Sequence, residues 1–139
     1  MPSESLSPWS ELITAEDIFR LHRRGLLEHG GEGSGELYEA CVESALAAAW
    51  SAGQYIEGED TVPGLTFAAY LLHHLAFKHC FLDGNKRVAW AASLFVLGGL
   101  ELGLKIPTEE AHRFILQMLE ESRPPEHVLA WFTEHMTAL

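Results

Sequence analysis

Nine consecutive positions, His79-Cys80-Phe81-Leu82-Asp83-Gly84-Asn85-Lys86-Arg87, hold a titratable base, a carboxylate, a glycine turn, an amide and two cations. Apolar sequence with helical spacing lies on both sides, so the cluster falls at a junction between two helices. A helix start leaves backbone N–H groups unpaired, and these groups attract anions. Lys86 adds a point charge there, and Arg87 can clamp two oxygens at once. Gly84 permits a positive φ and a close approach of backbone to a ligand. Asn85 can cap the helix or bond a phosphate oxygen through its amide. Two cations in a first turn oppose the helix dipole, at roughly a few tenths of a kcal/mol each, unless an anion binds there. The chemistry that fits is the binding and transfer of phosphate.

His79 stands across the turn from these groups. Its imidazole titrates near physiological pH and can take a proton from an attacking hydroxyl. Taken alone, a histidine at a helix end also fits simple pairing with the last carbonyls. Asp83 has three readings: it holds a divalent ion, pairs with Lys86, or caps the next helix. Magnesium on phosphates uses only one or two protein carboxylates, so a single aspartate suffices for the first. Phe81, between the base and the acid, reads as a core plug that fixes the turn.

The elements that position this cluster are helices. Thr14 caps a first helix with Glu16 and Asp17 in its opening turn, and Ile18, Leu21 and Leu26 follow near helical spacing. The glycine-rich stretch 30–35 ends it as a flexible loop. A second helix is expected over about 36–50, with Leu37, Cys41, Ala45, Leu46 and Ala49 inward. Residues 51–64 read as a surface loop. A third helix covers 65–79, and a fourth runs from 85 to about 98. The fourth is apolar nearly all round, which places it at the centre of a bundle. Thr108 caps a fifth, with Phe114, Ile115, Met118 and Leu119 as its core stripe. Pro124 and Pro125 break the chain and start a short sixth. No convincing strand pair is visible. The expectation is an all-α, single-domain bundle of about six helices: residues 1–11 form a loose tail and 12–139 the domain.

The chain has 139 residues, enough for one domain with a sizeable core. Nine Lys and Arg against 20 Asp and Glu give a net charge of −11. That acidity argues against direct nucleic-acid binding and against an anionic membrane surface. It also makes the Lys86-Arg87 pair stand out. Cys41 and Cys80 fit no metal-ligand spacing, and two buried free thiols are expected ahead of a disulfide between them. His74 and His79 lie about 140° apart on a helix, so they cannot face one ion, and no zinc site is expected. Neither a signal peptide nor a transmembrane run is visible, so a cytoplasmic home is the default expectation. Phosphate-loop and dinucleotide fingerprints are also missing.

At its central motif the chain resembles the Fic/Doc family, whose signature reads His-x-Phe-x-(Asp/Glu)-Gly-Asn-(Gly/Lys)-Arg. His79, Phe81, Asp83, Gly84, Asn85 and Arg87 match, and Lys86 takes the Doc (death on curing) form. The likeness spreads over residues 12 to 135, including Leu21-His22 and Glu43-Ser44-Ala45-Leu46. It implies a helical bundle and a transferase using ATP or another nucleoside triphosphate with magnesium. His79 would be the base, Asp83 the metal ligand, and Gly84, Asn85, Lys86 and Arg87 the phosphate cradle. Gln54, Tyr55 and Ile56 would belong to a target-docking flap. AMP-transferring members carry a glycine before the arginine and a second arginine three positions later; here those positions are Lys86 and Trp90. The resemblance therefore implies a Doc-type toxin that phosphorylates a Ser or Thr hydroxyl of a target protein such as elongation factor Tu. AMP transfer by the same site and a non-catalytic nucleotide- or partner-binding domain are the alternatives. No inhibitory Ser/Thr-x-x-x-Glu-(Gly/Asn) segment is seen, so a separate antitoxin protein is the expected brake. Cys80 and Val88 depart from the frequent Pro and Thr of that branch.

Overall fold

The computed structural model describes residues 7–33, 35–55 and 64–139. Its elements run α1 (Ala15–His29), α2 (Cys41–Tyr55), α3 (Leu65–Lys78), α4 (Asn85–Gly99), β1 (Leu102–Leu104), α5 (Thr108–Glu120), α6 (Pro125–His135) and β2 (Met136–Ala138). This is the expected all-α, six-helix domain, with one small addition. β1 and β2 pair antiparallel, Leu102 opposite Ala138 and Leu104 opposite Met136. That ladder clips the C-terminus to the segment leaving α4.

Local chemistry explains most helix starts. Thr14 Oγ1 accepts from the Asp17 N–H at 3.1 Å while Asp17 Oδ2 accepts from the Thr14 N–H at 2.9 Å, a reciprocal capping box. α2 begins later than expected, at Cys41. The Glu36 carboxylate bends back to accept from the Ala40 and Val42 N–H groups at 3.0 Å each, and so caps the helix from outside it. Leu37 is therefore exposed on the approach to α2, while Ala45, Leu46 and Ala49 are buried as expected. α5 starts at Thr108 itself, with Pro107 before it and no side-chain cap. The tail expectation is also narrowed: Trp9 is buried and joins Ile13 in the core.

The central helix is α3, not α4. Every residue from Leu65 to Leu72 is buried, as a helix enclosed by others requires. α2, α4 and α6 pack around it. α4 buries Val88, Ala89, Ala92, Val96 and Leu97 but leaves Leu94 and Phe95 partly at the surface. Aromatic rings tie the other end together: Phe114 of α5 stacks on Trp131 of α6 at 3.7 Å, and Trp131 lies 5.9 Å from Trp90 of α4.

Cys41 and Cys80 are joined by a disulfide, with Cα atoms 5.6 Å apart. The expected pair of separate thiols is thus corrected. Packing of α2 against α3 brings the first residue of α2 beside the residue that follows His79, a proximity that 39 residues of separation conceal.

Two histidines on the outer part of α3 make stability pH-dependent. Burial lowers the His74 imidazole to about 4, helped by the neighbouring His73 and Lys78. Burial also lowers His73, against the hydrogen bond it donates to the Arg123 carbonyl and the Glu126 charge. The unfolded chain, with histidine at its ordinary 6.5, therefore binds more protons than the folded one between about 6.5 and 4. Stability is full above that window and declines as pH falls through it. Thermal melts at a series of pH values should show Tm dropping across this range, with a shallower drop in His74→Gln.

Candidate active site

α3 ends at Lys78, and His79 caps it in the left-handed region at φ 52°. Its imidazole is exposed. The chain then turns through Cys80 to Gly84 and enters α4. Phe81 is the buried pin of this turn, as expected, with the His22 ring of α1 stacked on it at 3.8 Å and Phe19 edge-on at 6.1 Å. Asn85 locks the same residue: its Oδ1 accepts from the Phe81 N–H at 3.0 Å and its Nδ2 donates to the Phe81 carbonyl at 2.8 Å. Both functions of the Asn85 amide are therefore occupied by the turn. What Asn85 can offer an anion is its backbone N–H.

His22 is a residue that sequence reasoning left unexplained. It is 2% exposed, and its Nε2–H donates to the Asp83 carbonyl at 2.7 Å. That bond, with the stacking on Phe81, holds the turn where α4 begins. Its Nδ1 is buried without a hydrogen-bond partner among the described residues. Motif spacing could not reveal this role, because the contact spans 61 positions.

Gly84 sits at φ 78°, a conformation that a side chain resists, and forms the N-cap of α4. Among the described residues no side chain caps this end. Asp83 does not serve as the cap considered for it. Its Oδ1 accepts from the Gly84 N–H at 3.0 Å and its Oδ2 from the Glu32 N–H at 3.4 Å. Residues 31–33 of the stretch expected as a flexible loop thus pack against the motif. A Cβ on Gly31 would stand 3.0 Å from Asp83 Oδ2 and 2.8 Å from Leu26. The exposed Asp83 carboxylate keeps unused lone pairs, and a magnesium site completed by phosphate oxygens needs no more protein ligands. Among the described residues no group of three His, Cys, Asp or Glu converges on a metal position.

The helix opens with Val88 N–H donating to the Gly84 carbonyl, so the N–H groups of Asn85, Lys86 and Arg87 precede the helical ladder and have no carbonyl partner within it. Lys86 is exposed and Arg87 half-buried, and among the described residues neither makes an ion pair. Asp83, Gly84, Asn85, Lys86 and Arg87 line a cavity of about 340 Å³ together with His112, Arg113 and Leu116 of α5. An adjoining cavity of about 300 Å³ lies between α1 and α4, walled by His22, Leu26, Arg87, Trp90 and His112 among others. His79 lines neither cavity. The expected acid, glycine, amide and cations therefore converge, while the expected base stands outside them at the surface. Gln54 is exposed near the end of α2; the side chain of Tyr55 and all of Ile56 lie outside the described residues.

The six-helix bundle thus presents a glycine-led start of α4 that, among the described residues, has no side-chain cap and carries two cations outside any ion pair. The Fic/DOC family model matches residues 12–97, more than half of the chain, and the chain belongs to that family. Members of the family are in general transferases of nucleotide-derived groups. No curated protein and no solved structure matches the chain significantly.

Proposed function

We propose that this chain transfers the terminal phosphate of a nucleoside triphosphate, ATP being the simplest candidate, to a Ser or Thr hydroxyl of another protein. The observation that carries the reading is the open start of α4, where three backbone N–H groups and two unpaired cations meet in a chain of net charge −11. So acidic a surface repels phosphate elsewhere, and charge-assisted bonds at one corner would favour its capture there. His79 would take the proton from the attacking hydroxyl. Its exposed position outside the cavities suits a hydroxyl presented by a bulky partner. Asp83 would hold magnesium, which when bound neutralises charge on the phosphates. Asn85 and His22 would act indirectly, by fixing the turn.

Terminal phosphate transfer is preferred to AMP transfer because Lys86 stands in place of glycine and Trp90 in place of a second arginine. Trp90 is 8% exposed and forms wall, not a free cation. On this reading the protein is a cytoplasmic toxin, held in check by an antitoxin protein, with a translation factor such as elongation factor Tu as target and no direct nucleic-acid or membrane partner. Among the described residues no helix is long and apolar enough to cross a membrane.

Incubation with ATP labelled at the α or the γ phosphate, with lysate or purified elongation factor Tu as acceptor, tests the reading. Label should reach protein from the γ position alone. Transfer from the α position would replace phosphorylation by AMP transfer. No transfer from either, with ATP still bound, would favour the binding-module alternative.

A further inference from the structure

We propose that Arg113 of α5 supplies a third phosphate-binding cation, facing Lys86 and Arg87 of α4. This rests on the transferase reading above and adds a residue outside the motif. One turn beyond Arg87 on α4, Trp90 is buried against Trp131 and offers no charge to the cavity. The wall opposite α4 is formed by α5, and Arg113 lines the same cavity of about 340 Å³ as Lys86 and Arg87. Its placement is dictated by the core: Phe114 stacks on Trp131, and Ile115 and Met118 are buried, which leaves Arg113 on the cavity side. Glu109 and Glu110 lie one turn earlier on α5, yet among the described residues Arg113 makes no ion pair.

Three unpaired cations around one cavity repel one another, and a polyphosphate relieves that repulsion by accepting from all three. A guanidinium from the opposite wall also binds phosphate oxygens that the α4 N–H groups cannot reach. Arg113 would therefore discriminate a triphosphate from a monophosphate, whose single group the α4 start alone can hold.

Calorimetric titration with inorganic tripolyphosphate, ATP and AMP, on wild type, R113A, R113K and R87A, is the test. Arg113 is exposed, so its truncation leaves the core intact, and an unchanged Tm checks this. The expected result is tripolyphosphate and ATP binding weakened about tenfold to a hundredfold in R113A, the size of a lost bond to a charged group. AMP binding should be unchanged, and R113K should recover part of the loss. In the labelled-ATP assay R113A should raise KM for ATP more than it changes kcat. If R113A binds tripolyphosphate as wild type does while R87A has lost it, Arg113 has no such role and the motif reading stands. If wild type and R87A are equally indifferent to tripolyphosphate, the reading of the α4 start fails, and Arg113 with it.

Discussion

Replacing His79 with asparagine should lower phosphate transfer by about 10²- to 10⁴-fold, the usual contribution of a positioned general base. Asparagine is the informative substitution because His79 sits at φ 52°, a left-handed conformation that asparagine tolerates better than most residues. The side chain is exposed at the end of α3, so the expected change in stability is within about 0.5 kcal/mol. Binding of ATP should persist, since neither cavity is lined by His79. The loss therefore belongs in kcat with acceptor protein present, and on the proposed toxin function growth arrest should follow expression of the wild type and not of the variant. A variant that transfers at the wild-type rate would show that the proton leaves by another route.

The second large effect concerns the Cys41–Cys80 disulfide. Closing a loop over a separation of 39 residues restricts the unfolded chain, which in the chain-entropy account contributes about 4 kcal/mol. Reduction, or Cys41→Ser, should therefore lower the free energy of unfolding extrapolated from urea titrations by an amount close to that figure, with the wild type in reductant and the variant coinciding. Equal midpoints with and without reductant would mean that the bond contributes nothing. The bond also fastens the motif turn to α2, assisted by the Leu37 N–H donating to the Cys80 carbonyl at 2.7 Å. In a cytoplasm that keeps thiols reduced, the turn would rest on Phe81, Asn85 and His22 instead. Those contacts lie on the α1 and α4 side and do not depend on sulfur.

Much of the scaffold was legible because its signals are local. Thr14 with Asp17, the proline pair before α6, and the glycines at 30 and 84 act within one helical turn, so boundaries near them were placed within a residue. The grouping of the motif residues was legible for the same reason: Asp83 through Arg87 are neighbours in sequence and line one cavity. The start of α2 was misplaced because its cap, Glu36, reaches forward four and six positions. The β1–β2 ladder escaped notice because two three-residue strands from distant parts of the chain carry no periodicity of their own.

The order of residues alone determined the helical class, the family motif and the open helix start with its two cations, since each follows from backbone chemistry over a few consecutive positions. Which of two apolar helices is enclosed, that Cys41 meets Cys80, that His22 carries the turn and that α5 faces α4 across a cavity were decided only by tertiary packing. Burial and close approach are properties of surfaces brought together, and the side chains that meet there lie tens of positions apart along the chain.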